Sequence, residues 1–473
     1  VDKESAMYQQ ITESYWSAQQ AEVRPACVFI PSVDKEVSVL VLLSQLTGCP
    51  FAAKSGGHAA FAGASSSPGG ITVLLRDLNE IKLRPDRRVV SVGPGNTWGQ
   101  VYRALEPNGL AAVGGRLSNI GVGGLITGGG ISYISNLYGW ALDNVESFEV
   151  GAAVMVLDSR KTHCQQVVSS TSGEIVTASE SRHPDLYWAL RGGGNNFGLV
   201  TRFNIYTIPS PALTGTTRMY SADHAPEVLR AFVGVASKAR VNGRAQQYVI
   251  FARMGESNII SAELTYTENV THPAVFEAYR AIPALSDSTR TRTLVEYCDD
   301  MAAQDQYGLR EVFWNLSVAL DEQFAQWIAE YFFSLISDLA SPVGLVFQVI
   351  TEPILEKMSR AGGNAIGLDV ANGPILLLHI LSMWDDAASD ETIHHFINEF
   401  FNTVAMEARA RGLHRDFIYM NYASAFQDVI SSYGATNKAK LKSIALKYDP
   451  RGVYQTLQPG YFKLTHAPTP NPF

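Results

Sequence analysis

FAAKSGGHAAFAGAS, residues 51–65, sets one histidine among small residues directly after an apolar run. The chain has only ten histidines, and His58 follows Ser55, Gly56 and Gly57, where almost no side-chain bulk packs against it. A buried structural histidine needs a hydrogen-bond partner and a fitted pocket. A histidine laid on bare backbone is explained if a ligand fills the space instead.

Three further glycine clusters follow: VGPGNTWGQV (92–101), GGRLSNIGVGGLITGGG (114–130) and RGGGNNFGLVT (191–201). Glycine lets backbone N–H groups come close to a ligand, which suits phosphate oxygens. The usual nucleotide loops are absent. GVGGLI places Ile126, and GGGNNF places Phe197, where a dinucleotide fingerprint needs its last glycine or alanine. No Gly-Lys pair exists for a P-loop, no Cys/His spacing fits a metal site, and no G-x-S-x-G elbow marks a hydrolase. A pyrophosphate-bearing ligand has to be held some other way.

With 473 residues, 46% apolar and 17% charged, the chain has ample core for two or three domains. A net charge of −8 argues against a nucleic-acid partner, and no apolar run approaches the roughly 20 residues of a membrane helix. Residues 1–210 are glycine-dense with short strands. Over 211–420 long amphipathic helices appear, such as DEQFAQWIAEYFFSLISDL with Asp321 as N-cap. Between them lie strand-like runs, among them PILLLHILSMW, so helices on an antiparallel sheet are expected. Residues 421–473 read as short strands and turns folding back on the first domain. The fold class is α+β, and a monomer is expected.

Secretion is the expectation. Val1 in place of Met fits a removed signal peptide or a trimmed chain, and the sequons at Asn269 and Asn315 would then carry glycans. Cys27 and Cys49 flank one strand–helix unit and form either a disulfide or two thiols; Cys164 and Cys298 read as buried thiols. His394 and His395 are adjacent on a helix and read as surface.

The ordered motifs KSGGH, VGPGNTWGQVYRAL, GGRLSNIGVGGLITGGG, LYGWALDNVESFEVG, DLYWALRGGGNNFGLVTRF and NYASAF…YDPRGVYQTLQPGYFKL resemble the vanillyl-alcohol-oxidase superfamily. Within it they are similar to fungal berberine-bridge-enzyme-like flavoproteins, over nearly the whole chain. The resemblance implies a PCMH-type FAD-binding domain plus a substrate domain of antiparallel sheet covered by helices. It implies FAD, with its 8α-methyl joined to His58. The second tether of many relatives is a cysteine, and Leu117 stands in its place, so a monocovalent flavin is expected. Ser55, Gly56, Gly57 and the loop through Gly115, Gly121, Gly123 and Gly124 are the implied pyrophosphate cradle. Ser118 and Asn119 are placed near the flavin ring, and Gly198 and Val200 near the adenosine half. Ile120 corresponds to a position that lines oxygen's approach, where a bulky side chain goes with a dehydrogenase; the acceptor, O2 or another, stays open.

Oxidation of a C–H bond pairs hydride transfer to the flavin with loss of a hydroxyl, phenol or amine proton to a base. The family often places that base in the segment matching FIYMNYAS, making Tyr422 and Tyr419 candidates, with Asn421 pointing the other way on a strand. A tyrosine near neutrality needs a neighbouring cation. His379 is a further candidate, because a polar residue inside PILLLHILSMW needs a reason; a core histidine is the alternative. The expected activity is FAD-dependent oxidation of a small secondary metabolite, the other readings being a flavin-retaining cyclase without net redox turnover or a carbohydrate oxidase.

Overall fold

The computed structural model describes residues 1–151, 175–339 and 341–473. Cys164 and the end of the strand-like run EVGAAVMVLD lie outside them. After two short helices, Ala6–Glu13 and Ala18–Ala21, come three short parallel strands, with Ile71–Leu74 between Cys27–Phe29 and Phe51–Lys54. Helix Asp34–Thr47 connects the outer two and ends on Gly48 in the left-handed conformation (φ 70°). This order corrects one expectation. Cys27 and Phe51 pair with Ile71 from opposite sides, which separates them by two strand spacings, roughly 10 Å. Cys49 lies two residues before Phe51, on the far side of the inserted strand from Cys27, and both cysteines are free.

A second sheet is antiparallel and runs Ile81–Leu83, Val89–Val92, Leu199–Pro209, Val145–Gly151, Ile175–Ser179, with Leu110–Ala112 also pairing to Leu199–Pro209. The passage from Pro209 to Ala212 leads into a third, eight-stranded antiparallel sheet, whose inner strands include Ala245–Met254, Val343–Ile350, Ile375–Trp384 and Arg310–Ala319. Helices Ala225–Ser237, Glu322–Leu335 and Asp390–Ala410 bury Phe232, Phe324, Phe332, Ile397 and Phe400 against one face of it. Asp321 caps the second of these helices, accepting from Phe324 N at 2.7 Å. On strand Ile375–Trp384, Leu376, Leu378 and Ile380 join that helix-side core, whereas Leu377 joins the core shared with the first domain. Both faces are covered, so apolar residues fill both sides of the strand, with His379 and Ser382 the exceptions.

Asn315 lies inside this sheet, fully buried. Its Nδ2 donates to Tyr419 O and its Oδ1 accepts from Tyr419 N. No glycan can be carried there, which corrects the second sequon; Asn269 is exposed. His395 is exposed, but His394 is half-buried against Trp384 and Phe426.

The C-terminal segment returns to the first domain, where Val453 and Tyr454 pack with Val37, Val41 and Phe51. It does so as helices, Ala435–Tyr448 and Val453–Thr456, and among the described residues no strand follows Arg415. The reason is local: the Asp449 carboxylate accepts from Val453 N and Tyr454 N, each at 2.8 Å, and winds the chain into a turn. FIYMNYAS likewise forms no strand. Pairing stops after His414–Arg415, and Met420–Tyr422 is a single 3₁₀ turn.

Candidate active site

Strand Phe51–Lys54 delivers Ser55–His58 at its carboxyl end, where open sheets place ligands. Ser55 Oγ donates to Pro94 O at 2.6 Å and accepts from Gly123 N at 3.2 Å, tying three glycine clusters together. Gly56 and Gly121 meet backbone to backbone: a Cβ on Gly56 would lie 2.5 Å from Gly121 N, and one on Gly121 2.3 Å from Gly56 N. Gly57 takes φ 71°, turning the chain so that His58 faces inward. The loops border a cavity of about 430 Å³, a normal size for a small-molecule site. Ser55, Gly56, Gly57, His58, Ile120, Gly121, Gly123, Gly124, Gly198 and Val200 all line it, as does Leu117.

Three expected residues do not. Gly115 lies beneath the loop against Trp98, its carbonyl accepting from Tyr102 OH at 2.8 Å. Ser118 is held through its backbone, donating to Cys298 O and accepting from Gly99 N. Asn119 turns its Nδ2 to Asp305 Oδ2 at 2.6 Å and to Tyr307 OH at 3.2 Å. Cys298 within helix Leu294–Ala302 thus holds the loop by its backbone, and Asp305 and Tyr307, which follow that helix, hold the Asn119 side chain.

His58 stacks on Trp16 with centroids 4.2 Å apart and 19° between planes. Burial pulls its pKa down to about 3, so the imidazole is neutral at ordinary pH. Its Nδ1 is buried without a hydrogen-bond partner, and its Nε2 stands 3.9 Å from Asp305 Oδ2.

Across the cavity the Met420–Tyr422 turn brings Tyr419, Asn421 and Tyr422 to one wall. Asn421 therefore does not point away as it would on a strand: its Nδ2 donates to Leu125 O and to Tyr419 OH, at 3.0 and 3.1 Å. Tyr419 OH also accepts from Gly130 N at 2.9 Å and Ile131 N at 3.3 Å. Its burial, and Tyr422 beside it, push its pKa far up. Tyr422 OH accepts from the Arg116 guanidinium. Burial works against the charge on Arg116, but the phenol oxygens of Tyr422, Tyr248, Tyr133 and Tyr419 outweigh it and keep the guanidinium firmly protonated. His379 stacks on the Tyr422 ring (4.3 Å, 21°) and lies 3.5 Å from Gln348 Nε2 through its Nδ1. Burial first, then Arg116, bring its pKa down to about 3, leaving it neutral.

Arg116 and Asp305 escaped the sequence reading. Arg116 stood inside a quoted motif, where an arginine beside glycines resembles any surface loop. Asp305, in MAAQDQYG, carried no signal at all.

The residues present fit a flavin dinucleotide. The backbone contact between Gly56 and Gly121 leaves bare backbone at the edge of the cavity, and His58, whose Nδ1 is buried without a partner, lines the same cavity as Arg116 and Tyr422. A family model described as an FAD binding domain matches residues 25–153. An FAD-dependent monooxygenase of Fusarium proliferatum is 33% identical over 469 residues, covering 95% of this chain and 87% of that protein. Among solved structures, 6-hydroxy-D-nicotine oxidase from Arthrobacter nicotinovorans matches with a TM-score of 0.78 at 18% identity, over 98% of this chain and 97% of that one. A berberine bridge enzyme variant in complex with (S)-reticuline matches with a TM-score of 0.75 at 17% identity, over 96% and 93%. Fold and site define an FAD-linked oxidoreductase with a PCMH-type flavin domain. The chain belongs to the family of the fungal FAD-dependent monooxygenases, with the fold of the berberine-bridge-enzyme-like proteins.

Proposed function

We propose that this oxidoreductase holds FAD by one covalent bond to His58 and oxidises a small alcohol-, phenol- or amine-type secondary metabolite, with Tyr422 as the base. One observation carries the reading: the Arg116–Tyr422 pair and His58, whose Nδ1 has no hydrogen-bond partner, line the same cavity. FAD, when bound, supplies the hydride acceptor at its N5. The chain supplies the rest. Tyr422 oxygen is the proton acceptor, and the Arg116 guanidinium that donates to it supplies the neighbouring cation this role needs. Tyr419, saturated by three N–H donors, fixes the turn that aims Tyr422. His379 and Phe313 pack on the Tyr422 ring (4.3 and 5.9 Å) and keep water off it. The glycine loops of residues 55–57 and 121–124 cradle the pyrophosphate, Gly198 and Val200 border the adenosine half, and Ile120 hinders dioxygen, so another acceptor is favoured.

The test begins with acid precipitation of the purified protein. Flavin fluorescence that stays with the peptide holding His58 supports the tether, and flavin that washes out refutes it. Anaerobic mixing with candidate metabolites then asks whether the flavin bleaches. Bleaching supports hydride transfer, whereas product formed with the flavin still oxidised favours a cyclase. A second reading, oxygen insertion, is favoured by the Fusarium relative, a monooxygenase; label from ¹⁸O₂ in the product would establish it. We further propose that the chain is exported, with Asn269 glycosylated; a glycosidase-sensitive mass shift in protein from the native host tests this.

A further inference from the structure

The tether reading leaves one question open, namely what makes a buried imidazole nucleophilic on one particular nitrogen. A neutral imidazole has one N–H and one lone pair, and the tautomer is set by what each nitrogen faces. His58 Nε2 faces the Asp305 carboxylate at 3.9 Å, while Nδ1 faces no partner. A lone pair on Nε2 would point at a carboxylate oxygen, so the proton belongs on Nε2. The Nδ1 lone pair is then the free one. Trp16 stacks on the imidazole, and Phe313 stacks on Trp16 at 5.3 Å and 22°, so the ring plane cannot swing. Asn119 anchors the same oxygen, Asp305 Oδ2, at 2.6 Å.

We propose that Asp305 is the positioning residue for flavin attachment: held by Asn119, it fixes the Nε2–H tautomer of His58 and takes that proton as Nδ1 bonds to the flavin 8α-methyl carbon. This rests on the His58 tether proposed above. The bond formed is Nδ1–C, and the bond broken is one methyl C–H. The methyl proton and two electrons stay with the ring system, and the Nε2 proton, made acidic once Nδ1 is alkylated, passes to Asp305. Dioxygen, slowed by Ile120 but sufficient for this single turnover, then removes the two electrons with two protons as hydrogen peroxide and returns the ring to its oxidised state. Burial raises the Asp305 carboxyl above the usual carboxylate range, which suits it to receive a proton. Asn119 thus acts one step removed from the flavin, through the carboxylate it holds.

The test uses the full chain produced under riboflavin limitation, then given FAD, and reads in-gel flavin fluorescence after denaturation at equal native FAD occupancy. Wild type is expected to attach FAD, with Asp305→Asn at least tenfold slower while still binding FAD reversibly. Asp305→Glu, which restores a carboxylate, should recover most of the rate, a rescue that a purely structural role would not show. Asn119→Ala should slow attachment severalfold. Asp305→Asn attaching at the wild-type rate overturns the inference, and so does a Glu variant no better than Asn. If the Asn variant fails to fold, Asn119→Ala decides, and an unchanged rate overturns the inference. His58→Ala separates the two claims: covalent flavin surviving there refutes the tether itself, whereas its loss with an unaffected Asp305→Asn refutes only the role of Asp305.

Discussion

Arg116 and Tyr422 are 306 positions apart, yet the Arg116 guanidinium donates to the Tyr422 hydroxyl oxygen inside the cavity. The glycine-rich loop around residues 114–124 brings the cation, and the Met420–Tyr422 turn brings the phenol. The guanidinium also lies 5.0 Å from the Tyr248 ring, which holds it from the side.

If the guanidinium carries the charge on the phenol oxygen, Arg116→Gln should lower the rate of flavin reduction by about 10²-fold, as when one preorganised donor is removed from a reacting oxygen. Arg116→Lys should lose about tenfold, since it keeps charge but not the planar fork. Rapid mixing with a substrate that bleaches the flavin measures both. Equal rates in all three proteins would remove Arg116 from the chemistry.

The two tyrosines should part company. Tyr422→Phe should cost about 10²–10³-fold in flavin reduction, within the usual range for a general base, with little change in melting temperature. Tyr419→Phe strands the N–H groups of Gly130 and Ile131, and each stranded buried donor costs about 1–3 kcal/mol. Its melting temperature should therefore fall while the rate changes less. The reverse pattern would exchange their roles.

The motif order made the flavin domain legible because its glycines do one job each, and Gly56 and Gly121 tolerate nothing else. Helix caps such as Asp321 and Gly48 were legible for the same reason, that one residue type suits one geometry. What chain distance hides was not legible. Nothing in Cys27 or Cys49 says that a third strand, Ile71–Leu74, inserts between theirs. The resemblance implied a strand at FIYMNYAS, and a 3₁₀ turn of three residues leaves no period in the sequence to say otherwise. His379 announced itself as a polar residue in an apolar run, whereas Asp305 and Arg116 acquire meaning only from partners far away in sequence.

Gly56 and Gly124 give a paired test of the cradle. Gly56→Ala forces a Cβ to 2.5 Å from Gly121 N and should destabilise the fold by about 1–3 kcal/mol or more. Gly124 has nothing within 4 Å of its would-be Cβ and lines the cavity. Gly124→Ala should fold with an unchanged melting temperature before FAD is added, yet bind FAD more weakly, because its methyl occupies ligand space. Titration of the flavin-free chain with FAD, together with thermal melts, distinguishes the two.

Glu311 is 3% exposed, and its Oε1 has no hydrogen-bond partner. Burial, reinforced by Asp305, pushes its carboxyl up to about 8. The folded chain therefore holds a proton that the unfolded chain, at an ordinary glutamate value near 4.5, releases much earlier. The sign follows from linkage: stability from this group is fully present below about pH 4.5, declines as pH rises through the interval to about 8, and is lost above it. Glu311→Gln cannot release a proton, so it should lose less stability than wild type between pH 5 and pH 9, by on the order of 3 kcal/mol. Denaturant melts of both proteins across that range supply the comparison. Parallel curves would mean that Glu311 is ionised in the folded chain at pH 7 and has a counter-charge beside it.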